Sequence, residues 1–166
     1  KSVFNFDSVG LMNIISDMNQ DQFADKPVIY GGAINQGRVN FKVELARVKK
    51  KMEAGATFFM TQPVFSDEDI SRLRQIKEET GARILCGIMP FVSLRNATFM
   101  KNEMTGINVT DEILARYSAD MTKEEGEETG IQIAKEIITK TSDFVDGYYF
   151  SFPFNRVHML EKILNA

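Results

Sequence analysis

Residues 49–65 place a helix end, an apolar strand and a polar side chain in immediate succession. Gly55 is predicted to end a basic helix, because a positive φ is needed there and glycine adopts it at low cost. The apolar run 57–60 is too short for a helix and is typical of a parallel strand buried on both faces. Gln62 follows this strand, and Pro63 stops it. Ligands of α/β sheets and barrels bind where strands end, so Gln62 is a candidate ligand-binding residue.

The same strand–helix unit recurs along the chain. Apolar runs at 27–34, 83–91 and 147–154 are further predicted strands, and an extra helical insertion precedes the last one. Alternating strands and helices predict a parallel sheet with right-handed crossovers. Two architectures fit this pattern: an open doubly wound sheet, or part of a (β/α)₈ barrel. A complete barrel needs about 250 residues, so a chain of 166 residues supplies about half of one.

Helix faces and caps can also be predicted. Asp7-Ser8 offers an N-cap, Thr122 is predicted to cap a long helix, and Ser66 and Asp69 form a capping-box pattern. Asn40 is expected to precede an amphipathic helix, and residues 2–6 alternate like a short edge segment. The expected inward stripe of the first helix is Leu11, Ile14, Ile15 and Met18, and that of the last helix is Val157, Leu160, Ile163 and Leu164.

Several candidate residues have two interpretations. Gly31 and Gly32, at the predicted end of the first strand, indicate either close approach by a ligand or backbone, or a simple bulge. Asn96 is an amide just past the third strand, or a cap or turn residue. Arg156 is predicted to open the last helix, where the macrodipole disfavours a cation, and this misfit favours a ligand role. His158 is expected to be a surface or packing residue.

Composition excludes several classes of protein. A net charge of −3 argues against non-specific nucleic-acid binding. No apolar span of about 18 residues predicts a membrane helix, and the start of the chain has no signal-peptide pattern. The one cysteine, Cys86, lies in an apolar run and is predicted to be a buried hydrophobic residue in a reducing compartment. We therefore expect a cytoplasmic protein without a metal site. The missing initiator Met suggests a fragment or processed chain.

Residues 52–65, Gly87-Ile88-Met89-Pro90 with Ser93, Gly130-Ile131 and the closing Gly147 with Asn155-Arg156 resemble segments of methylenetetrahydrofolate reductases, in that family's order. The resemblance covers nearly the whole chain. The segments 7–11 and 152–156 are most similar to the reductase half of bifunctional homocysteine S-methyltransferase/methylenetetrahydrofolate reductase proteins, which belong to one-carbon metabolism and methionine biosynthesis.

The resemblance implies a flavin-dependent (β/α)₈ barrel. In that family NADH or NADPH reduces FAD, and the reduced flavin converts 5,10-methylenetetrahydrofolate to 5-methyltetrahydrofolate. By this resemblance, Gln62 hydrogen-bonds the pterin of the folate substrate, and Asn96 and Arg156 are further substrate-binding positions. The positions similar to those lining FAD are Asp7, Ser8, Gly31-Gly32-Ala33, Asn35, Glu44, Arg47, Lys50 and Lys51. Lysine and arginine would suit the pyrophosphate.

The family's acid catalyst, a glutamate, and the Gly-Asp loop beside the flavin both lie upstream of Lys1. The resemblance therefore implies one domain over residues 1–166, forming the C-terminal half of the barrel with its last four strands and without the catalytic residues. The ligand-stacking aromatic position falls at Phe99 or Met100. Such a fragment is expected to lack turnover, since the proton donor is absent. It is expected to need the N-terminal half as its partner or, because its sheet edges are open, to form a homo-oligomer.

Two other functions fit the residues less well. One is a non-catalytic α/β binding module whose basic helix, with Lys49, Lys50 and Lys51, holds a phosphate-bearing or protein partner; a solvated charged surface is the plainer interpretation of that run. The other is a barrel acting on sugar phosphates, which would need a glycine-rich phosphate loop where Phe152-Pro153-Phe154 stands.

Overall fold

A computed structural model of the chain describes residues 5–165. Helix α1 (Ser8–Gln20) is followed by strand β1 (Gly32–Ile34), helix α2 (Phe41–Glu53), strand β2 (Phe59–Pro63), helix α3 (Asp67–Thr80) and strand β3 (Ile84–Ile88). Helices α4 (Leu94–Glu103), α5 (Asp111–Ala115) and α6 (Lys123–Thr141) then precede strand β4 (Gly147–Phe150), a 3-10 turn (Pro153–Asn155) and helix α7 (His158–Leu164). The edge segment predicted at residues 2–6 lies mostly outside the described residues.

The four strands form one parallel sheet in the order β1-β2-β3-β4. Each strand is hydrogen-bonded to the next one in sequence, with at least one helix between them. This is the arrangement of consecutive βα units in a barrel or a singly wound sheet. The predicted α/β fold, four parallel strands with flanking helices as in a partial (β/α)₈ barrel, is confirmed.

Helices cover one face of the sheet. On that face Ile34, Phe59, Ile84 and Cys86 are at most 1% exposed. The row on the opposite face consists of the register partners Ala33, Met60, Leu85 and Gly147. Met60 is 39% exposed and Ala33 is exposed too. The prediction that β2 is buried on both faces is therefore wrong, because nothing within residues 5–165 covers its second face fully.

Helix ends follow the predicted signals closely. Asp7, Asn40, Ser66 and Thr122 are N-caps, and each side chain accepts a hydrogen bond from a backbone N–H of the first turn. Gly55 has φ +94 after the end of α2, as predicted. These local hydrogen bonds need no tertiary partner, which is why the sequence predicts them well.

The helix faces were predicted less well. In α1 the buried residue is Met12, whereas Leu11 is 53% exposed. In α7 the buried residues are Met159 and Ile163, whereas Leu164 and Val157, the residue before the helix, are 62% and 56% exposed. The predicted stripes were therefore right only in part: Ile163 is buried as expected and Ile14, Ile15 and Met18 are half-buried, but both helices carry apolar residues on more than one face. Which face is buried depends on the neighbouring element.

Strand β1 also differs from its prediction. It begins at Gly32 rather than at residue 27, so Gly31 and Gly32 lie at its start and not at its end. A Cβ at Gly31 would come within 2.5 Å of the Phe58 ring, and one at Gly32 within 2.8 Å of the Phe59 ring. The ring of Phe58, just before β2, packs against Gly31, and the ring of Phe59, in β2, packs against Gly32. This packing accounts for both glycines.

Helix α6 lies directly against the β3–α4 connection. A Cβ at Gly126 would be 2.3 Å from the carbonyl oxygen of Val92, and one at Gly130 would be 2.0 Å from that of Phe91. Both glycines lower helix propensity, yet the helix approaches the backbone so closely that no larger residue fits without a shift. The residues of α6 beside Gly126 are thus held at a set distance from the loop that follows β3.

Candidate ligand-binding site

Gln62 is the fourth residue of β2, and Pro63 is the fifth, so the prediction that Gln62 follows the strand was wrong. Gln62 lies at an irregularity of the sheet, where pairing with β3 continues to Pro63. The β2–β3 register shifts between Met60 and Pro63, and the buried side chain of Gln36 occupies the position of a neighbouring strand. The Gln36 Oε1 accepts from Gln62 N at 3.1 Å, and its Nε2 donates to the Gln62 carbonyl oxygen at 2.9 Å. The half-buried Gln62 side chain has no hydrogen bond to residues 5–165, so its amide is available to a ligand.

Asn96 lies in the first turn of α4, not in the loop after β3. Ser93 caps that helix and accepts from Asn96 N at 3.2 Å. The Asn96 Oδ1 accepts from Val92 N at 3.3 Å. Its oxygen therefore stabilises the turn, as the plainer interpretation expected. Its amide nitrogen forms no hydrogen bond within the described part of the chain and is the atom that a ligand could use.

Arg156 follows the 3-10 turn, and Val157 separates it from the first residue of α7. The prediction that Arg156 opens the last helix was therefore wrong. Its Nε lies 2.5 Å from Glu127 Oε1, and its side chain is 17% exposed. The Arg156 Nη1 is buried and has no hydrogen-bond partner among residues 5–165. Phe154 and Asn155, just before it, adopt left-handed backbone with φ 55 and 59. Asparagine adopts this conformation readily, but it is strained for Phe154, and such strain is often found at functional sites.

A cleft of about 860 Å³ opens between α4, α6 and the segment after β4. It is lined by Ser93, Thr98 and Thr122, by the cationic residues Arg95, Lys123 and Arg156, and by Phe154. The N-termini of α4 and α6 both border it. Helix N-termini and cations favour negatively charged groups, so this cleft suits an anionic part of a ligand.

The three predicted substrate residues belong to three neighbouring strands. Gln62 is the last residue but one of β2, Asn96 follows β3 and Arg156 follows β4. Because the strands are parallel and adjacent, these residues share the C-terminal edge of the sheet. Arg156 lines the cleft, whereas Gln62 and Asn96 are not among its lining residues. Their role in substrate binding stays a prediction.

A second cleft, of about 490 Å³, lies between α1, α2 and β1. Six of the predicted FAD residues line it together: Ser8, Gly31, Gly32, Ala33, Arg47 and Lys51. Arg47 is exposed, and the structure assigns it no ion pair among residues 5–165. Lys51 is 5% exposed, and its Nζ donates to the Ala33 carbonyl oxygen at 2.5 Å. Burial lowers the pKa of Lys51, and Arg47 acts in the same direction while Glu44 opposes it.

The remaining predicted FAD residues lie outside this cleft. Asp7 caps α1, with its Oδ1 accepting from Gly10 N at 2.8 Å. Glu44 is 3% exposed and accepts from Asn35 N at 2.9 Å, which fastens the end of β1 to α2. The buried Asn35 Oδ1 has no partner within the described residues. Lys50 is exposed on α2.

The two candidates for the stacking position differ in exposure. Met100 is buried in the core at 8%, whereas Phe99 is 55% exposed, and neither lines a cleft described above. Phe154, which is 76% exposed, is an aromatic residue that lines the cleft beside α4 and α6, and the Arg156 guanidinium lies 5.3 Å from its ring centroid.

Sequence reasoning did not single out Gln36 or Glu127. Gln36 acts through backbone atoms of β2, and Glu127 is one of several glutamates on α6. Neither spacing nor periodicity distinguishes them. His158 is exposed, with its Nε2 2.9 Å from Glu127 Oε2, as expected of a surface residue. Cys86 is buried as predicted, and burial raises the pKa of its thiol to about 12.

Residues 5–165 contain neither a metal-binding cluster nor a membrane-spanning helix. No group of three or more His, Cys, Asp or Glu side chains is arranged to hold a metal ion. No helix in that range is both long and apolar enough to cross a membrane.

Comparison with known protein families identifies the family of this chain. The family model for methylenetetrahydrofolate reductase matches residues 6–165. The chain therefore belongs to the methylenetetrahydrofolate reductase family. A comparison with curated protein sequences gave no significant match.

Solved structures share the fold. An uncharacterized protein from Clostridium thermocellum, described as binding two copies of 5-methyl-5,6,7,8-tetrahydrofolic acid, superposes with a TM-score of 0.61 at 16% sequence identity. The match covers 95% of this chain and 57% of that protein. At this identity the likeness shows the fold alone. The chain thus spans little more than half the length of this structural relative.

Proposed function

We propose that this chain is part of a flavin-dependent reductase that converts 5,10-methylenetetrahydrofolate to 5-methyltetrahydrofolate with NADH or NADPH. The observation that carries this proposal is the family match over residues 6–165. The binding of methyltetrahydrofolate attributed to the structural relative supports a folate ligand. The acid catalyst is expected on a segment other than residues 1–166, so the chain alone is proposed to bind ligands without turnover. A bifunctional parent with a homocysteine methyltransferase remains part of the proposal.

Two different parts of the chain suit the two proposed ligands, FAD and the folate. At the α1–α2 cleft, the unpaired Arg47 and the Ser8 end of α1 suit a pyrophosphate, such as that of FAD. FAD would supply the hydride-carrying ring. At the C-terminal edge, the free amide of Gln62 suits the donor and acceptor groups of a pterin. Arg156 and the two helix N-termini suit the carboxylates of a folate.

The rival function, a binding module that uses a basic surface on α2, is less well supported. Lys49 is paired with Glu79 of α3 at 3.3 Å, and Lys51 is buried. Of the lysine run 49–51, only Lys50 is exposed without an ion pair among residues 5–165. The run therefore does not form a continuous cationic patch.

Titration of the folded chain with FAD, followed by flavin fluorescence and absorbance, tests the cofactor half of the proposal. We expect saturable binding that Arg47→Ala weakens by roughly 10-fold, the effect of losing one charge-assisted contact. Lys49→Ala is the matched control, since it removes the same charge from the same helix outside the cleft. Equal affinities of the two variants, or no FAD binding by a chain shown to be folded by circular dichroism, would overturn this half-site.

A further inference from the structure

The guanidinium of Arg156 is only partly satisfied. Glu127 Oε1 lies 2.5 Å from its Nε, while the enclosed Nη1 has no acceptor among residues 5–165. A buried charged donor left without a partner costs more free energy than a neutral one in the same place. An acceptor entering the cleft beside Arg156 would remove that cost. The unpaired Nη1 therefore indicates a ligand, whereas the Nε bond to Glu127 shows which residue holds the side chain in place.

Glu127 has both carboxylate oxygens engaged. Oε1 meets Arg156, and Oε2 lies 2.9 Å from the Nε2 of His158. The carboxylate is 12% exposed. The hydrogen bond from His158, and then the charge of Arg156, hold the pKa of Glu127 below its usual range. Glu127 is thus an ionised side chain anchored from two sides, although it is mostly removed from water.

The backbone that carries Glu127 is also fixed. Its neighbour Gly126 contacts the carbonyl oxygen of Val92, and Gly130, one turn further on, contacts that of Phe91. These contacts seat α6 on the β3–α4 connection, which itself lines the cleft through Val92 and Ser93. The position of the Glu127 carboxylate relative to the cleft is therefore set by main-chain contacts. It does not depend on the strained 3-10 turn that carries Arg156.

We propose that Glu127 is a positioning residue for ligand binding. It fixes Arg156 by its Nε, so that the two amino groups of the guanidinium remain available to a carboxylate or carbonyl of the folate ligand. Without Glu127, Arg156 would follow its turn and the exposed Phe154 ring, whose centroid is 5.3 Å away. This inference rests on the proposed folate function and adds to it a residue that does not itself contact the ligand.

The test is a double-mutant cycle read by calorimetric titration with 5-methyltetrahydrofolate. We expect Glu127→Gln to weaken binding by roughly 10-fold, about 1.4 kcal/mol. Arg156→Gln should weaken it at least as much. The double variant should bind no more weakly than Arg156→Gln alone, because Glu127 acts only through Arg156. Thermal unfolding of each variant checks that the chain remains folded.

Glu136→Gln is the matched control. Glu136 lies on the same helix and is paired with Arg116 at 2.6 Å, away from the cleft. Its substitution removes an arginine partner of the same kind and should leave the affinity unchanged. A second readout is the ¹⁵N chemical shift of the Arg156 Nε, which should move in Glu127→Gln and not in Glu136→Gln.

The outcomes separate the two proposals. Additive losses in the cycle, or an unchanged affinity of Glu127→Gln, would overturn the positioning role while leaving the folate site intact. No binding of 5-methyltetrahydrofolate by the folded wild-type chain would overturn the folate site in this chain. The Nε shift would then show whether the Glu127–Arg156 contact exists without that ligand.

Discussion

Asp69 is a buried carboxylate with no ion pair in the described part of the chain. It is 0% exposed, and neither carboxylate oxygen has a hydrogen-bond partner among residues 5–165. The predicted capping box with Ser66 is half formed, because Ser66 Oγ accepts from Asp69 N while the return bond is missing. Burial raises the pKa of Asp69 to about 6, and nearby Ser66, Arg72 and Asn108 offset that rise only in part.

This raised pKa predicts a pH-dependent stability. The folded chain binds the Asp69 proton more tightly than the unfolded chain, so the free energy of unfolding falls as pH rises from about 4 to about 6. The loss for this one group is about 3 kcal/mol at most. Asp69→Asn should be more stable than the wild type at pH 8 and should show a flatter pH profile in that window. Urea unfolding at several pH values measures both.

The exposed neighbour Asp67 provides the control for this substitution. Its side chain is 82% exposed and pairs with Lys140 at 2.6 Å. Exposed pairs contribute about 0–1 kcal/mol, so Asp67→Asn should change the pH profile little. An Asp69→Asn variant that is less stable than the wild type at pH 8 would show that the carboxylate is stabilised in a way that its burial does not indicate.

At the scale of elements, the packing of α6 against the β3–α4 connection fixes the helix that carries Glu127, the partner of Arg156. Gly130→Ala would normally stabilise a helix by about 1 kcal/mol. Here the added Cβ would lie 2.0 Å from the Phe91 carbonyl oxygen, which is main chain and cannot rotate away. We expect a loss of about 1–3 kcal/mol in unfolding free energy, typical of overpacking.

Gly10→Ala in α1 is the comparison for this prediction, measured by the same urea unfolding. A Cβ at Gly10 would meet the Phe6 ring at 3.3 Å, a contact with a side chain rather than with backbone. We expect this variant to be neutral or slightly stabilised. Equal stability of the two alanine variants would mean that α6 can shift away from the connection without cost.

At the scale of the whole molecule, one face of the sheet carries apolar side chains that residues 5–165 leave partly exposed. Parallel sheets are normally covered on both faces, yet the row of Ala33, Met60 and Leu85 is not fully buried within residues 5–165. The outer edges of β1 and β4 carry no further strand within the described chain. Exposed apolar faces and open edges favour association, so we keep the prediction that the chain forms a homo-oligomer when isolated.

Sedimentation velocity at low and high micromolar concentrations tests this prediction. Met60→Lys puts a charge on the uncovered face and should reduce association without affecting the core. Met104→Lys is the control, since Met104 is 44% exposed but lies beyond α4, away from the sheet row. A wild-type chain that stays monomeric at the highest concentration would contradict the prediction, as would equal association of the two variants.

Much of the fold could be predicted from the sequence because the relevant signals are local. The caps at Asp7, Asn40 and Thr122 and the glycine after α2 each depend on a few neighbouring residues. Apolar runs separated by amphipathic segments predict parallel strands, and the sheet order follows from adjacency. The candidate residues Gln62, Asn96 and Arg156 were found at one sheet edge for the same reason.

Other features were decided only by the tertiary structure. The side chain of Gln36 continues the pairing of β2 beyond the end of β1, and Glu127 meets Arg156 across 29 residues of chain. Both contacts join groups that no sequence period connects. The exposure of Met60 likewise depends on what lies over the sheet, not on the strand itself. Local hydrogen bonding and hydrophobic period therefore determined the elements, whereas packing between distant segments decided which faces are buried and how the site residues are held.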